Sequence, residues 1–260
     1  MKNNLLLIIN SDDFGINNSV NKAIVSCFES GIISSATLMA NMPGFEDAVN
    51  YTHTNPILKN KIGLHMNLTE GKPLTDLIKK CDRFCNKDGY LIYDRKKPVF
   101  FLNAQEQKAI YTEIKAQIAK LIEHNIYPTH LDSHHHVHTE FGIVRPYLEA
   151  AKESGITKMR LSKNIGNISY AKKVYKNIFN FYLHGIKKIA TTGFFCSANE
   201  FRQLMDKNGV IPGSSYEVMV HAKINAEGKL IDIDNSDIKN KIDPILASFN
   251  PVSYFELKRN

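Results

Sequence analysis

The chain has 260 residues, of which 43% are apolar and 23% are charged, which is the composition of an ordinary globular protein of one large domain or two small ones. Its 33 Lys and Arg exceed its 26 Asp and Glu and give a formal charge of +7, but the lysines are spread along the chain without a nucleic-acid-binding motif, so no nucleic-acid partner is expected. The four cysteines are too scattered for a disulfide framework or a zinc knot, which predicts reduced, unliganded thiols.

Short apolar runs alternate with amphipathic stretches in the first half of the chain. The run LLLII is typical of a strand covered on both faces, and it is too short for a signal peptide or a membrane span, so we expect a cytoplasmic protein. Asn103 and Glu106 offer a cap for a helix with one apolar stripe. The predicted elements are strands at 5–9, 32–39, 61–66 and 127–132, and helices at 19–29, after Pro43 and at 107–122.

The second half repeats this alternation. A helix that begins near Phe141 stops at Gly155, because glycine is the usual residue just beyond a helix end. The predicted elements that follow are strands at 158–162, 189–195, 215–220 and 252–256, and helices at 169–186, 198–208 and 236–248.

Strands that alternate with helices over the whole length predict parallel βαβ units. Seven or eight such units favour an α/β fold with a single (β/α) barrel of parallel strands over an open sheet. No linker divides the chain, so we expect one domain over residues 1–260. The alternation lapses at about 70–103, which we interpret as an inserted loop near the functional site.

Ionisable residues gather where the predicted strands end, and the active sites of (β/α) barrels lie at the carboxyl ends of their strands. The stretch HLDSHHHVH at 130–138 alone holds five histidines and one aspartate. Any single residue of this kind has a structural explanation, such as a turn or a buried hydrogen bond, but their convergence predicts a functional site. The residues at these strand ends are Asp12, Asp13, His65, Asp132, His134, His136, His138, Glu217 and His221.

Imidazoles together with a carboxylate form a ligand set suited to a divalent metal ion. Asp13, His65 and His134 would come from three different strands, and three protein ligands leave positions open for water and substrate. The second aspartate can then act as a general base, while a histidine on the opposite wall protonates a leaving group.

The histidine-rich stretch offers more imidazoles than one metal ion can use. If the fourth strand continues through it, side chains alternate, so that His134, His136 and His138 share a face and His135 points away. We expect His134 to be a ligand and His136 to contact substrate or support a ligand. His130, His135 and His138 are expected to be structural.

Four motifs, NSDDFG, GLHMNLTEGKPL, PTHLDSHHHVHT and YEVMVH, resemble those of the YdjC-like carbohydrate deacetylases in order and spacing. That family includes chitooligosaccharide deacetylases and the deacetylase-like proteins of hopanoid biosynthesis, and the resemblance covers residues 5 to about 222. It implies a distorted (β/α) barrel that hydrolyses an N-acetyl group on a sugar with the help of a metal ion. The implied substrate is a chitooligosaccharide or a related glycan or glycolipid, and acetate is released.

The resemblance also implies catalytic residues. Asp12 matches the family's general base, and His221 matches the late histidine that acts as general acid. Arg160 is similar to an arginine that the family places near the site, where a cation would hold Asp12 ionised by lowering the pKa of its carboxyl group.

By the same resemblance, Asp13, His65 and His134 match the ligands of one divalent metal ion. Ligand chemistry favours zinc, because two of the three ligands are imidazoles, whereas the family is usually described with magnesium, so both Mg²⁺ and Zn²⁺ stay open. His136 and Glu217 are the expected substrate-binding residues.

Other functions fit a rim of histidines and aspartates. One alternative is a different metal-dependent amidohydrolase or a phosphoesterase, and another is a catalytically weakened sugar-binding protein. Two departures from the family pattern bear on the second alternative. Gly193 stands where relatives commonly carry Asp, and Ala222 and Lys223 follow His221 where relatives commonly have Pro-Gly.

The stretch at 169–190 mixes aromatic residues with lysines, a pattern that would also suit a membrane surface or a lipid-linked sugar. We instead expect an ordinary barrel helix with solvated lysines and a buried aromatic face. Barrels of this size often form homodimers, and no stretch of the sequence marks an interface.

Overall fold

The computed structural model describes residues 5–258 as an α/β fold. The first half contains β1 (Leu6–Phe14), α1 (Asn18–Glu29), β2 (Ser35–Leu38), α2 (Phe45–Thr54), β3 (Ile62–Met66), α3 (Ala104–Glu123) and β4 (Leu131–Ser133). The second half contains α4 (Phe141–Glu153), α5 (Tyr170–Phe181), β5 (Phe194–Ser197), α6 (Ala198–Asp206), β6 (Ser215–Val220), β7 (Lys223–Ile224), β8 (Leu230–Ile231) and α7 (Ile238–Ser248). A π-helical turn, Tyr182–Ile186, extends α5.

Six parallel strands form one curled sheet in the order β4-β3-β2-β1-β6-β5. Single parallel bridges join Leu131 of β4 to Met159, and Lys158 to Ala190 just before β5. Within the described residues these are isolated bridges and not a further strand, so the curled sheet has the shape of a half-barrel rather than of a closed barrel. Strand β1 lies near its centre, between β2 and β6.

The sheet has six strands rather than the predicted seven or eight, because the segments at 158–162 and 252–256 form none. The backbone of Ser162 bonds the side-chain amide of Asn180 at 2.9 and 3.0 Å, in place of a neighbouring strand. At the later segment a single bridge joins Leu7 to the preceding Pro251, and Val252 donates to the Leu7 carbonyl at 2.7 Å. Tyr254–Glu256 then form a 3-10 turn instead of a strand.

The helix over 107–122 is confirmed as part of α3, and its cap is the predicted one. The Asn103 side chain accepts a hydrogen bond from the Glu106 backbone at 2.8 Å, and the Glu106 carboxylate accepts one from the Asn103 backbone at 3.1 Å. This capping box satisfies backbone donors that the first turn leaves unpaired. The buried stripe of α3 includes Ile110, Ile114, Ile118 and Leu121.

The long segment between β3 and α3 is irregular, but buried carboxylates hold it in place. Glu113 of α3 accepts a hydrogen bond from the Leu74 backbone at 2.9 Å. Glu140, before α4, accepts from the Tyr93 hydroxyl and the Val99 backbone, both at 2.6 Å. Two helices therefore fix the two halves of this segment beside the carboxyl ends of the strands.

Candidate active site

Strand β1 carries Asp12 and Asp13 at its carboxyl end, where its pairing register with β2 shifts between Ser11 and Phe14. Asp13 has a left-handed backbone with φ of 69°, a conformation that aspartate tolerates better than most residues. Consecutive side chains of a regular strand point to opposite faces. This bulge therefore lets two adjacent carboxylates serve one site.

The structure brings Asp13, His65 and His134 together. Oδ1 of Asp13 lies 3.2 Å from Nε2 of His65 and 2.8 Å from Nδ1 of His134. This oxygen is buried and has no hydrogen-bond partner among the described residues. The two ring nitrogens are close to it, but the angles do not suit a hydrogen bond. The ligand atoms of the three side chains lie within 4.8 Å of one another. They can therefore hold one divalent ion between them.

Each of the two histidines uses its other nitrogen to bind a carboxylate. Nδ1 of His65 lies 2.7 Å from Asp132, and Nε2 of His134 lies 2.6 Å from Glu70. A ring that donates its N–H to a carboxylate in this way presents the lone pair of its opposite nitrogen, which is the arrangement found behind metal ligands. In both rings that opposite nitrogen faces Asp13.

The charge of the site also fits a divalent cation. Burial opposes a charge on the His65 ring, but Asp132 and Asp13 outweigh it and raise the pKa of His65 to about 10. A proton or a metal ion is thus strongly favoured between these groups. At this site buried carboxylates outnumber the guanidinium of Arg160, and uncompensated charge is costly inside a protein. The residues concerned are Asp12, Asp13, Asp132, Glu217 and Arg160.

Arg160 binds three carboxylates in the interior. Its two terminal nitrogens bond both oxygens of Asp12 at 2.6 Å, one of them also lies 2.7 Å from Asp132, and Nε donates to Glu217 at 2.7 Å. Burial favours the neutral form of Asp12, but Arg160 outweighs burial and holds the pKa of that carboxyl group below its usual range. Asp12 is therefore ionised beside the ligand set. The interaction predicted between Arg160 and Asp12 is present.

His221 faces Asp12 from the end of β6. Its Nε2 lies 3.9 Å from Oδ2 of Asp12, and its side chain is 18% exposed. The hairpin of β7 and β8, which the sequence did not predict, returns the chain so that Asp232 accepts a hydrogen bond from the His221 backbone at 2.8 Å. Lys241 of α7 in turn holds Asp232 at 2.7 Å.

The histidine-rich segment does not continue as a strand. β4 ends at Ser133, and in the 3-10 turns that follow His135 and His136 have left-handed backbones with φ of 53° and 54°. The predicted alternation, which placed His134, His136 and His138 on one face, is therefore wrong. Consecutive left-handed residues without glycine are strained, and such strain concentrates at functional sites.

Two of these histidines pack as structural residues. The His130 ring stacks on Tyr254 with centroids 3.7 Å apart. His138 bonds the Ser133 hydroxyl and stacks on Tyr147. Burial lowers the pKa of both histidines well below the usual value, so both rings are neutral.

The two predicted substrate contacts differ in their surroundings. His136 is partly exposed, packs edge-on against Phe195 with centroids 5.6 Å apart, and has a buried Nδ1 that no described residue hydrogen-bonds. Glu217 is fully buried, with its oxygens bonded to Arg160 and to the Tyr254 hydroxyl. We therefore regard Glu217 as a residue that positions Arg160 rather than as a substrate contact.

A cavity of about 1040 Å³ opens beside the ligand set. His135, which directly follows His134, forms part of its wall and bonds the Thr69 hydroxyl at 3.0 Å. The inserted segment supplies another wall. Other lining residues are Arg95, Lys96, Phe100, Lys172, Tyr175 and Lys176.

A model of the family described as YdjC-like protein matches residues 6–243, which is most of the chain. The chain belongs to the YdjC-like family. Among curated relatives, a carbohydrate deacetylase of Clostridium beijerinckii is 37% identical over 164 residues, which are 63% of this chain and 63% of that protein. This match spans less than two thirds of the Clostridium protein. A carbohydrate deacetylase of Thermoanaerobacter pseudethanolicus is 28% identical over 251 residues, covering 96% of this chain and 93% of that one.

A solved structure also shares the architecture of this YdjC-like chain. It is a protein of Enterococcus faecalis V583 that is named for cellobiose-phosphate cleavage, with a TM-score of 0.71 and 20% sequence identity. The similarity covers 95% of this chain and 97% of that one. At this identity it supports a common fold.

Two residues of this YdjC-like site, Glu70 and Asp232, were not predicted as site residues, and Asp132 was predicted at the strand ends without a role. Asp132 stands inside the histidine-rich motif, two positions before His134. Glu70 lies within the motif of His65, but only the fold shows that it reaches His134. Asp232 had no signal, because its role depends on the hairpin.

The two departures from the YdjC-like pattern lie at different distances from the site. Gly193 directly precedes the first residue of β5, at the amino end of that strand, and its N–H donates to the Ser215 hydroxyl at 2.8 Å. It therefore removes no carboxylate from the carboxyl ends where the site lies. Ala222 follows His221 directly, and Lys223 begins β7.

Proposed function

We propose that the protein is a metal-dependent hydrolase that removes the N-acetyl group from an N-acetylated sugar and releases acetate. The observation that carries the proposal is the donor set of Asp13, His65 and His134 with an ionised carboxylate, Asp12, adjacent to it in the chain. The family and the names of the curated relatives support the same reaction.

Asp13, His65 and His134 would hold one divalent ion, either Mg²⁺ or Zn²⁺. An ion bound there supplies Lewis-acid chemistry, because it polarises the acetyl carbonyl and lowers the pKa of water. Asp132 and Glu70 would fix the two imidazoles through their outer nitrogens, so that neither ring has to reorient when the ion binds.

Asp12 would accept the proton of the attacking water. It is ionised and 2% exposed, and its position is fixed by two hydrogen bonds from Arg160. A carboxylate that is held in one orientation removes a proton without first losing rotational freedom. Arg160 thus acts by positioning Asp12, and Glu217 acts by positioning Arg160.

His221 would protonate the sugar nitrogen as the amide bond breaks. Its ring faces Asp12 across a gap of 3.9 Å and remains partly exposed, so it can contact both the leaving amine and solvent. The products are acetate and a free amino sugar. His136, with a ring nitrogen free of protein partners among the described residues, would contact the substrate.

The adjacent cavity is large enough for a sugar substrate of more than one ring. We propose a chitooligosaccharide or a related glycan or glycolipid as the substrate class. The enzyme would act as one domain in which the inserted segment forms part of the substrate cavity.

Acetate release tests the proposal directly. Protein reconstituted with Mg²⁺ or Zn²⁺ would be incubated with N-acetylglucosamine oligomers and N-acetylated glycolipids, and acetate would be measured by a coupled assay. Release from at least one substrate, lost in Asp12→Asn with metal content unchanged, is the expected result. Phosphate release from model phosphoesters without any acetate would instead identify a phosphoesterase.

A further inference from the structure

The positive charge of the chain is concentrated in one stretch and is not spread evenly, as composition had suggested. Residues 154–199 contain eight of the 33 Lys and Arg and not one Asp or Glu. Outside this stretch the 26 acidic residues outnumber the basic ones. The net charge of +7 therefore arises from a segment that includes α5 and its π-helical turn.

Helix α5 exposes an apolar stripe to solvent. The side chains of Tyr170, Val174, Ile178 and Phe181 are 84%, 40%, 56% and 66% exposed. Their spacing of four, four and three residues places them on one helix face. Ile186, in the π-helical turn, is also exposed. The predicted burial of the aromatic face is therefore wrong for this part of the helix.

The opposite face of α5 attaches it to the rest of the protein. Phe179 is fully buried, Tyr175 donates a hydrogen bond to the Thr139 carbonyl at 2.8 Å, and Asn180 bonds the backbone of Ser162. The apolar stripe is therefore not the face through which α5 packs on the protein core. It is presented outward by a helix that is anchored through its other side.

Lysines near this stripe are not neutralised. Lys173 lies beside the stripe on α5, and Lys187 and Lys188 follow the π-helical turn. None of these three forms an ion pair within residues 5–258. An amphipathic helix with an apolar stripe and flanking lysines lies in the plane of an anionic lipid interface, where both parts of its surface are satisfied.

We propose that α5 and its π-helical turn dock this protein onto an anionic lipid bilayer surface. The apolar stripe would enter the boundary between headgroups and acyl chains, while the lysines contact lipid phosphates. A second copy of the chain is a poorer occupant, because a two-fold contact places the same patch against itself. The unpaired lysines of one copy would then face those of the other.

Docking of this kind does not require a membrane span. None of the described helices is long and apolar enough to cross a membrane. Because Lys172, Tyr175 and Lys176 of α5 also line the large cavity, surface binding would hold that cavity close to the lipid. The proposal rests on the surface of α5 and is independent of the proposed deacetylase function.

Vesicle flotation with the full chain tests the proposal. The probes are vesicles of phosphatidylcholine alone and of phosphatidylcholine with phosphatidylglycerol. We expect binding only to the anionic vesicles, with a loss of binding as ionic strength rises. The combined variant Lys173→Glu, Lys187→Glu and Lys188→Glu should lower the partition coefficient at least about a hundredfold.

A matched control separates local from overall charge. Lys22→Glu, Lys87→Glu and Lys207→Glu change the net charge equally at exposed sites outside the stretch, and this variant should bind vesicles nearly as well as the wild type. Ile178→Ser with Phe181→Ser should lower partitioning at least about tenfold, with an unchanged melting temperature because both side chains are exposed.

Three results would overturn the proposal. The first is the absence of binding to anionic vesicles, and the second is equal loss of binding in the two charge variants. The third is a wild-type dimer, measured by light scattering, that becomes monomeric in the Ile178→Ser and Phe181→Ser variant without any vesicle binding by the wild type. That result would assign the stripe to an interface between copies. Acetate release from a water-soluble substrate should be unaffected by Lys173→Glu, so failure of this proposal is distinguishable from failure of the proposed function.

Discussion

Arg160 and Asp12 form two parallel hydrogen bonds of 2.6 Å each between side chains that are buried from solvent. The pair is one part of a larger group, since the same guanidinium also binds Asp132 and Glu217. Because one cation stabilises three carboxylates, its removal has consequences for stability as well as for activity.

Replacement of the guanidinium should destabilise the fold strongly. We expect Arg160→Met to lower the free energy of unfolding by about 3–5 kcal/mol, because it leaves buried carboxylates without a partner. Urea denaturation followed by circular dichroism measures this change. In the control Arg145→Met, which breaks an exposed pair with Glu149, the change should stay within about 0.5 kcal/mol. Similar losses in the two variants would contradict the assigned role of Arg160.

Substitutions at the two adjacent aspartates should affect metal binding and proton transfer separately. Asp13→Asn should abolish the rise in melting temperature that Zn²⁺ or Mg²⁺ produces, whereas Asp12→Asn should keep it. A free metal concentration of a hundred times the dissociation constant stabilises the folded protein by about 2.7 kcal/mol. Asp12→Asn should instead lower kcat for acetate release by about 10²–10⁴-fold. Loss of the thermal shift in both variants would mean that both carboxylates bind the ion.

Glu70 should tune the affinity for the ion without being essential to the fold. Its side chain is 42% exposed and bonds the outer nitrogen of His134. We expect Glu70→Gln to weaken metal binding about 10–100-fold, as measured by competition with a chromophoric chelator. Glu227→Gln, at an exposed hairpin position, is the matched control and should leave metal affinity unchanged. Wild-type affinity in Glu70→Gln would exclude the proposed support of His134.

Glu217 should make the metal-free protein sensitive to pH. Burial raises the pKa of Glu217 from 4.5 to about 7, despite the opposing effect of Arg160. The folded state therefore favours the protonated form, and the contribution of Glu217 to stability is fully present below pH 4.5 and is lost as pH rises through about 7. Glu217→Gln should gain stability relative to the wild type over that range in chelator-containing buffer. Parallel unfolding profiles would show instead that Glu217 is ionised throughout.

The cysteines should be protected in the native state. All four are buried, and burial raises the pKa of the Cys27 thiol to about 12. Because the thiolate is the reactive form, we expect little reaction with Ellman's reagent at neutral pH before denaturation and four reactive thiols afterwards. Rapid labelling of a native thiol would place that cysteine at the surface.

The sequence was sufficient to predict the alternation of helices and strands, because that depends on local patterns. The capping box of Asn103 and Glu106 and the stripe of α3 are contacts between residues a few positions apart. The segment around Arg160 reads as a strand for the same local reason. Its backbone leaves the ladder because Asn180, many residues later, bonds Ser162, and no local pattern carries that information.

The candidate site also has a part that the sequence predicts and a part that it does not. The sequence pointed to Asp13, His65 and His134, because histidines and carboxylates at strand ends are chemically distinctive. It could not show that His135 and His136 adopt left-handed backbones, since the strain is sustained by surrounding contacts rather than by local preference. For that reason the number of histidines on one face was predicted wrongly.

The central position of β1 has a consequence for how the molecule opens. This strand is hydrogen-bonded to β2 on one side and β6 on the other, so its amides can exchange with solvent only when a neighbouring strand detaches. Local opening reaches peripheral elements first, and helix α5 and the inserted segment are such elements. The part of β1 that is paired with neighbouring strands through Ser11 should therefore exchange its amides most slowly, and it directly precedes Asp12 and Asp13.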